Sequence, residues 1–105
     1  IEVAQARGIM MYLLLKKPSY GYELQKDLKK QCICEVNIGN LYRCLSRLNK
    51  QGYVKRMAVK SKIGPKKYSY TITDNGKIYL SSWIDGLKKQ KDVISLLIKN
   101  YKKIV

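Results

Sequence analysis

Apolar positions recur along this chain first at helical spacing, then at the spacing of extended strands, then at helical spacing again. Over residues 3–16, Ile9, Met10, Leu13 and Leu14 stand among further apolar side chains, which predicts a first helix covered on more than one side. Pro18 ends it, because proline has no amide hydrogen and turns the residue before it away from helical geometry. Leu24 and Leu28, one turn apart, predict a second helix over residues 20–30. Residues 32–36 alternate weakly, the pattern of a short strand.

Asn37 is a good N-cap, and after it Ile38, Leu41, Tyr42, Leu45 and Leu48 recur at intervals of three and four, as a buried helical face does. This third helix covers residues 38–51, about 21 Å at 1.5 Å per residue, and Gly52 closes it. Residues 53–60 and 68–73 are rich in strand formers, with Gly64 and Pro65 between them, so they predict a β-hairpin spanning about 53–73. Thr73 caps a fourth helix, with Asp74 in the first turn where negative charge suits the helix dipole.

Past Gly76, Leu80, Ile84, Leu87, Lys91, Ile94, Ile98, Tyr101 and Val105 alternate by four and three, and Trp83, Leu97 and Ile104 widen the seam. If the helix runs unbent through Gly86, the stripe is about 48 Å long, more than one small domain can cover. The expectation is a homodimer joined through Leu80, Trp83, Ile84, Leu87, Ile94, Leu97, Ile98 and Tyr101. The fold class read from these patterns is mainly α with a small β-hairpin (α+β). Helix, helix, helix and hairpin in this order predict a winged helix-turn-helix over residues 1–73, with residues 74–105 as a dimerisation helix of the same compact unit.

Charge sharpens this picture. The formal net charge is +15, and between Val36 and Thr73 stand nine Lys or Arg residues and none of the seven acids. Solubility alone accounts for a high charge but not for that segregation. A cationic surface on a folded scaffold points to double-stranded DNA. At 105 residues the chain holds one domain with a modest core. No stretch approaches the roughly 18 apolar residues of a membrane span and none resembles a signal peptide, so the expectation is a soluble protein without a membrane partner. Its place is then the cytoplasm, on the nucleoid, or a host cytoplasm if virus-encoded.

Cys32, Cys34 and Cys44 with no histidine cannot build the usual four-ligand zinc site, so neither metal nor cofactor is expected. Packing thiols are the ordinary reading, and pairing of Cys32 with Cys34 across a dimer is the alternative. Without histidine, a glycine-rich phosphate loop or a paired set of acids, an enzyme is not expected.

Four pieces of the chain, in order, resemble the PadR family of transcriptional regulators. They are Pro18, Ser19, Tyr20, Gly21, Tyr22 and Glu23; Gly39, Asn40, Leu41 and Tyr42 with Leu45, Leu48 and Gly52; Gly64, Pro65, Lys66, Lys67 and Tyr68; and Thr73 with Gly76. The resemblance covers roughly residues 7–87. It implies a dimeric repressor whose third helix enters the major groove, whose wing touches adjacent backbone and whose fourth helix joins the subunits. Some members of that family bind a small aromatic effector at the dimer interface, in a pocket that includes a tryptophan of the fourth helix. Trp83 stands one turn before that usual position, which Leu87 occupies, so interface packing is the expectation for it.

With Leu41, Leu45 and Leu48 inward, Asn40, Arg43, Ser46, Arg47 and Lys50 point outward. Asn37, Asn40 and Arg43 lie nearest the helix start, the end that meets base edges. Arg43 suits a guanine, Asn40 an adenine, and Ser46 a phosphate or a base. Arg47, Lys50, Lys62, Lys66 and Lys67 suit phosphates. Tyr42 is expected to pack its ring inward with its hydroxyl toward a phosphate, while Tyr20, Tyr22, Tyr53 and Tyr68 are assigned to the core. The function expected is a sequence-specific regulator binding duplex DNA as a homodimeric repressor on a pseudo-palindromic operator. The alternatives are an architectural nucleic-acid binder with little sequence preference and a winged-helix module gripping an acidic protein.

Overall fold

Residues 3–32, 37–59 and 67–105 are described by the computed structural model, and among them seven elements follow one another. They are α1 (Val3–Lys16), β1 (Ser19–Tyr20), α2 (Gly21–Cys32), α3 (Ile38–Lys50), β2 (Val54–Val59), β3 (Lys67–Ile72) and α4 (Asp74–Ile104). The architecture is the expected winged helix-turn-helix with a long C-terminal helix. Glu23 reaches back from the first turn of α2 to accept from the Tyr20 amide at 3.0 Å, satisfying a donor at the helix start.

The hairpin gains a third strand. β2 and β3 pair antiparallel from Val54 opposite Ile72 to Val59 opposite Lys67, and β1 adds to the other edge of β3, with Ser19 opposite Tyr70. Two residues carry no readable period, so β1 escaped the sequence, and Tyr20 belongs to it rather than to the second helix. α2 extends to Cys32, two residues past its expected end at residue 30, so the strand expected over residues 32–36 loses its first position to a helix. Its remaining positions lie outside the described residues, as do Lys62, Lys66 and the rest of the wing tip.

Met10, Met11, Leu13 and Leu14 of α1 meet Leu24 and Leu28 of α2, Leu41, Cys44, Leu45 and Leu48 of α3, Val54, Tyr70 and Leu80 in one core. Each large apolar side chain so buried contributes roughly 1.5–3 kcal/mol. The buried face of α3 is narrower than its periodicity promised. Ile38 is 41% and Tyr42 45% exposed, because the first turn projects past the core and Tyr42 falls off the covered arc, where Cys44 takes its place. Burial pushes the Cys44 thiol up, with Arg7 and Arg47 partly opposing.

The assignment of tyrosines to the core also needs correction. Tyr22 and Tyr68 are exposed and Tyr20 and Tyr53 only half-buried, whereas Tyr70, opposite β1, is the tyrosine at 4% exposure. Leu80 is buried with it, so it packs inside its own chain rather than toward a partner. α4 continues unbroken through Gly86 for 31 residues, about 46 Å. Trp83, Ile84 and Leu87 are half-buried; beyond Leu87 every residue is exposed, Ile94, Leu97, Ile98 and Tyr101 among them. The molecule measures 65 × 28 × 20 Å, and no described helix is long and apolar enough to cross a membrane.

Candidate nucleic-acid interface

The start of α3 is organised by short polar side chains. Asn37 adopts the extended geometry of an N-cap, φ −73° and ψ 121°, and its side-chain oxygen accepts from the Asn40 amide at 3.1 Å. The Asn40 side-chain oxygen in turn accepts from Nη2 of Arg43, one turn on. Gly39 carries no side chain between them. A Cβ there would lie 3.2 Å from Asn37 Oδ1 and 3.8 Å from Arg43 Nη2, so the guanidinium leans back over the first turn.

The far end of α3 is fastened to the wing. Gly52 takes φ +81°, a left-handed conformation that glycine adopts without a steric penalty. This lets the Tyr53 amide reach the Leu48 carbonyl at 3.0 Å and the Gly52 amide reach that of Asn49 at 3.2 Å, the two bonds of a Schellman closure. Asn49 Oδ1 accepts from the Arg56 amide of β2 at 3.3 Å. Arg7 of α1 donates to the Gln51 side chain at 2.7 Å. Helix and wing therefore share a joint, which holds their relative orientation.

Between these ends, Asn37, Asn40, Arg43, Ser46, Arg47 and Lys50 are all exposed on the side of α3 opposite its buried residues. Lys67, at the start of β3, lines a cleft of about 260 Å³ with Tyr20, Gly21, Tyr22, Tyr42 and Tyr68. Tyr42 fits there because Gly21 is bare: a Cβ on it would meet the Tyr42 ring at 2.5 Å. Tyr20 and Tyr22 stack at 5.7 Å, and the Arg56 guanidinium lies 4.5 Å from the Tyr68 ring centre. Burial raises the Tyr70 phenol, while Arg56 opposes it through its charge and a hydrogen bond.

The structure thus brings the α3 residues and Lys67 to neighbouring surfaces and adds Asn49, Arg56 and the tyrosine cleft, which sequence reasoning missed. Strand alternation places Arg56 on the face of Val54, a core residue, so its period was misleading. The tyrosines were missed because the chain has nine of them and no phenylalanine, which favoured reading their rings as core.

Trp83 has a different setting. Its ring lies flat across Gly8 of α1, where a Cβ would come within 2.3 Å of it, and it borders an open groove of about 510 Å³ with Gln5, Ile9, Tyr12, Gln31, Ile84 and Leu87.

Comparison with known proteins places this geometry. Residues 10–82 match the family model described as the Transcriptional regulator PadR-like family. A transcriptional regulator from Clostridium thermocellum is 26% identical with a TM-score of 0.80, the match covering 88% of each chain. A PadR-like transcriptional regulator from Bacillus cereus is 28% identical with a TM-score of 0.77, covering 88% of this chain and 89% of that one. Bacillus subtilis PadR, solved in complex with operator DNA, has the same fold at 24% identity and a TM-score of 0.67, over 77% of this chain and 46% of that one.

Proposed function

Since this chain belongs to the PadR-like family of transcriptional regulators, we propose that it binds duplex DNA sequence-specifically as a homodimer and represses by occluding a promoter. One observation carries the reading. α3 is buried on one face and presents Asn40, Arg43, Ser46, Arg47 and Lys50 on the other, in a segment without a single carboxylate. α3 then lies in the major groove, Arg43 contacting a base edge, while Arg47, Lys50, Lys67, Arg56 and the tyrosine hydroxyls of the cleft hold phosphates. Lys62 and Lys66 extend the same role along the wing. The operator-bound Bacillus subtilis protein of like fold supports DNA as the partner.

The exposed apolar end of α4 supports pairing of two copies, because Ile94, Leu97, Ile98 and Tyr101 are each more than half exposed in the single chain. Two α3 helices so presented read half-sites one helical turn apart, roughly 34 Å. A small aromatic effector, if the regulator takes one, has its place in the α1–α4 groove beside Trp83.

Selection of bound duplexes from a random pool tests this function. The expected result is an enriched inverted repeat, preferred about a thousandfold or more over random duplex, with a steep loss of affinity as salt rises. Equal affinity for every duplex would instead make the protein an architectural binder. No binding to any duplex at moderate salt would make it a protein-interaction module.

A further inference from the structure

The first turn of α3 bears on base preference, and the inference rests on α3 being the reading helix. A guanidinium has five donors and no acceptor, so the Asn40 amide must turn its oxygen to Arg43 and its NH2 group outward. Asn37 has its oxygen engaged as well, on the Asn40 amide. To pair with adenine, an asparagine needs its oxygen free to accept from N6 while its NH2 donates to N7. With one of its oxygen's two lone pairs taken by Arg43, Asn40 is a poorer acceptor for N6 than a free asparagine, while its NH2 group stays available to donate. Guanine offers two neighbouring acceptors, N7 and O6, which match the donors that remain.

We propose that Asn40 is a positioning residue for Arg43, not an adenine reader, and that the start of α3 recognises a guanine in each half-site through donors alone. The guanidinium lies over the first turn, in van der Waals reach of Gly39, and there the Asn40 oxygen meets it. Fixing one rotamer of a long side chain before docking lowers the entropy lost on binding. It also aims the planar fork, the feature on which bidentate recognition depends.

The test uses the whole chain with the duplex selected from the random pool. Replacing one guanine per half-site by 7-deazaguanine, which keeps pairing but removes N7, should weaken the wild type about tenfold or more. Asn40→Asp keeps an oxygen for Arg43 but has no amide donor; Asn40→Ala has neither. Both retain the backbone amide that Asn37 caps, and circular dichroism should show unchanged helix content. Asn40→Asp should bind every duplex more weakly yet keep the preference for guanine over adenine at that site. Asn40→Ala should shrink that preference about fivefold or more. If both variants instead lose preference at an A·T pair and keep the guanine preference intact, Asn40 reads adenine and the proposal is overturned. Failure of the selection to enrich any motif would overturn the sequence-specific reading itself, an outcome distinct from either.

Discussion

The Thr73 hydroxyl donates to the Gly52 carbonyl at 2.6 Å and accepts from the Gly76 amide at 3.0 Å, so one side chain ties the end of α3 to the start of α4. The Thr73 amide adds a bond to the Tyr53 carbonyl at 3.1 Å, and Gly76 packs so close that a Cβ would come within 2.0 Å of that same oxygen. The polar part of this joint predicts that Thr73→Val costs about 1–2 kcal/mol of stability through the lost cap, with Thr73→Ser retaining most of it. Denaturant midpoints for the two variants check this; equal midpoints would remove the hydroxyl from the account.

Base reading and phosphate holding should separate by mutation. Arg43→Ala is expected to cost about 1–3 kcal/mol of binding and relax preference at one base pair, whereas Lys67→Ala should weaken all sequences alike and lower the salt slope by about one. Competition binding on the selected duplex and its single-base variants measures both. Equal losses on every sequence for Arg43→Ala would count against it as a reader.

The proposed dimer rests on the end of α4. Charging Ile94 or Ile98 with Asp should give monomers, because a carboxylate would have to be desolvated in an apolar seam. Sedimentation velocity reads the outcome, and unchanged species in both variants would place the interface elsewhere.

Gly8 makes room for the chain's one tryptophan. Gly8→Ala should displace the Trp83 ring, costing roughly 1–3 kcal/mol by overpacking and shifting its fluorescence emission to the red. Emission unchanged at full stability would mean the helices part at no cost.

Alkaline pH should destabilise the fold. Burial raises both the Cys44 thiol and the Tyr70 phenol, so in the unfolded chain these groups release their protons first. Above about pH 8.5 the unfolded state therefore holds fewer protons than the folded one, and stability, intact below that pH, falls as pH rises. Cys44→Ala should delay the onset of the fall toward about pH 10, where Tyr70 still contributes. Denaturant midpoints between pH 7 and pH 11 follow it; identical profiles for both proteins would contradict the assignment to Cys44.

The sequence by itself determined the order of helices, the cap at Asn37, the stop at Gly52, the start of α4 at Thr73 and the acid-free cationic middle. Each of these is a local property, settled by side-chain period, by a capping side chain within a turn, or by composition. Tertiary structure decided what depends on partners distant in the chain. β1 exists because β3 offers it an edge; Tyr70 is buried and Tyr22 is not because of where the sheet meets α1 and α2. Leu80 belongs to the core because α4 starts against the Gly52–Tyr53 turn. The Asn40–Arg43 bond spans only one turn, yet sequence could not reveal it. Which rotamer a long exposed side chain adopts depends on the partners around it, and here the neighbouring Asn40 oxygen decides that.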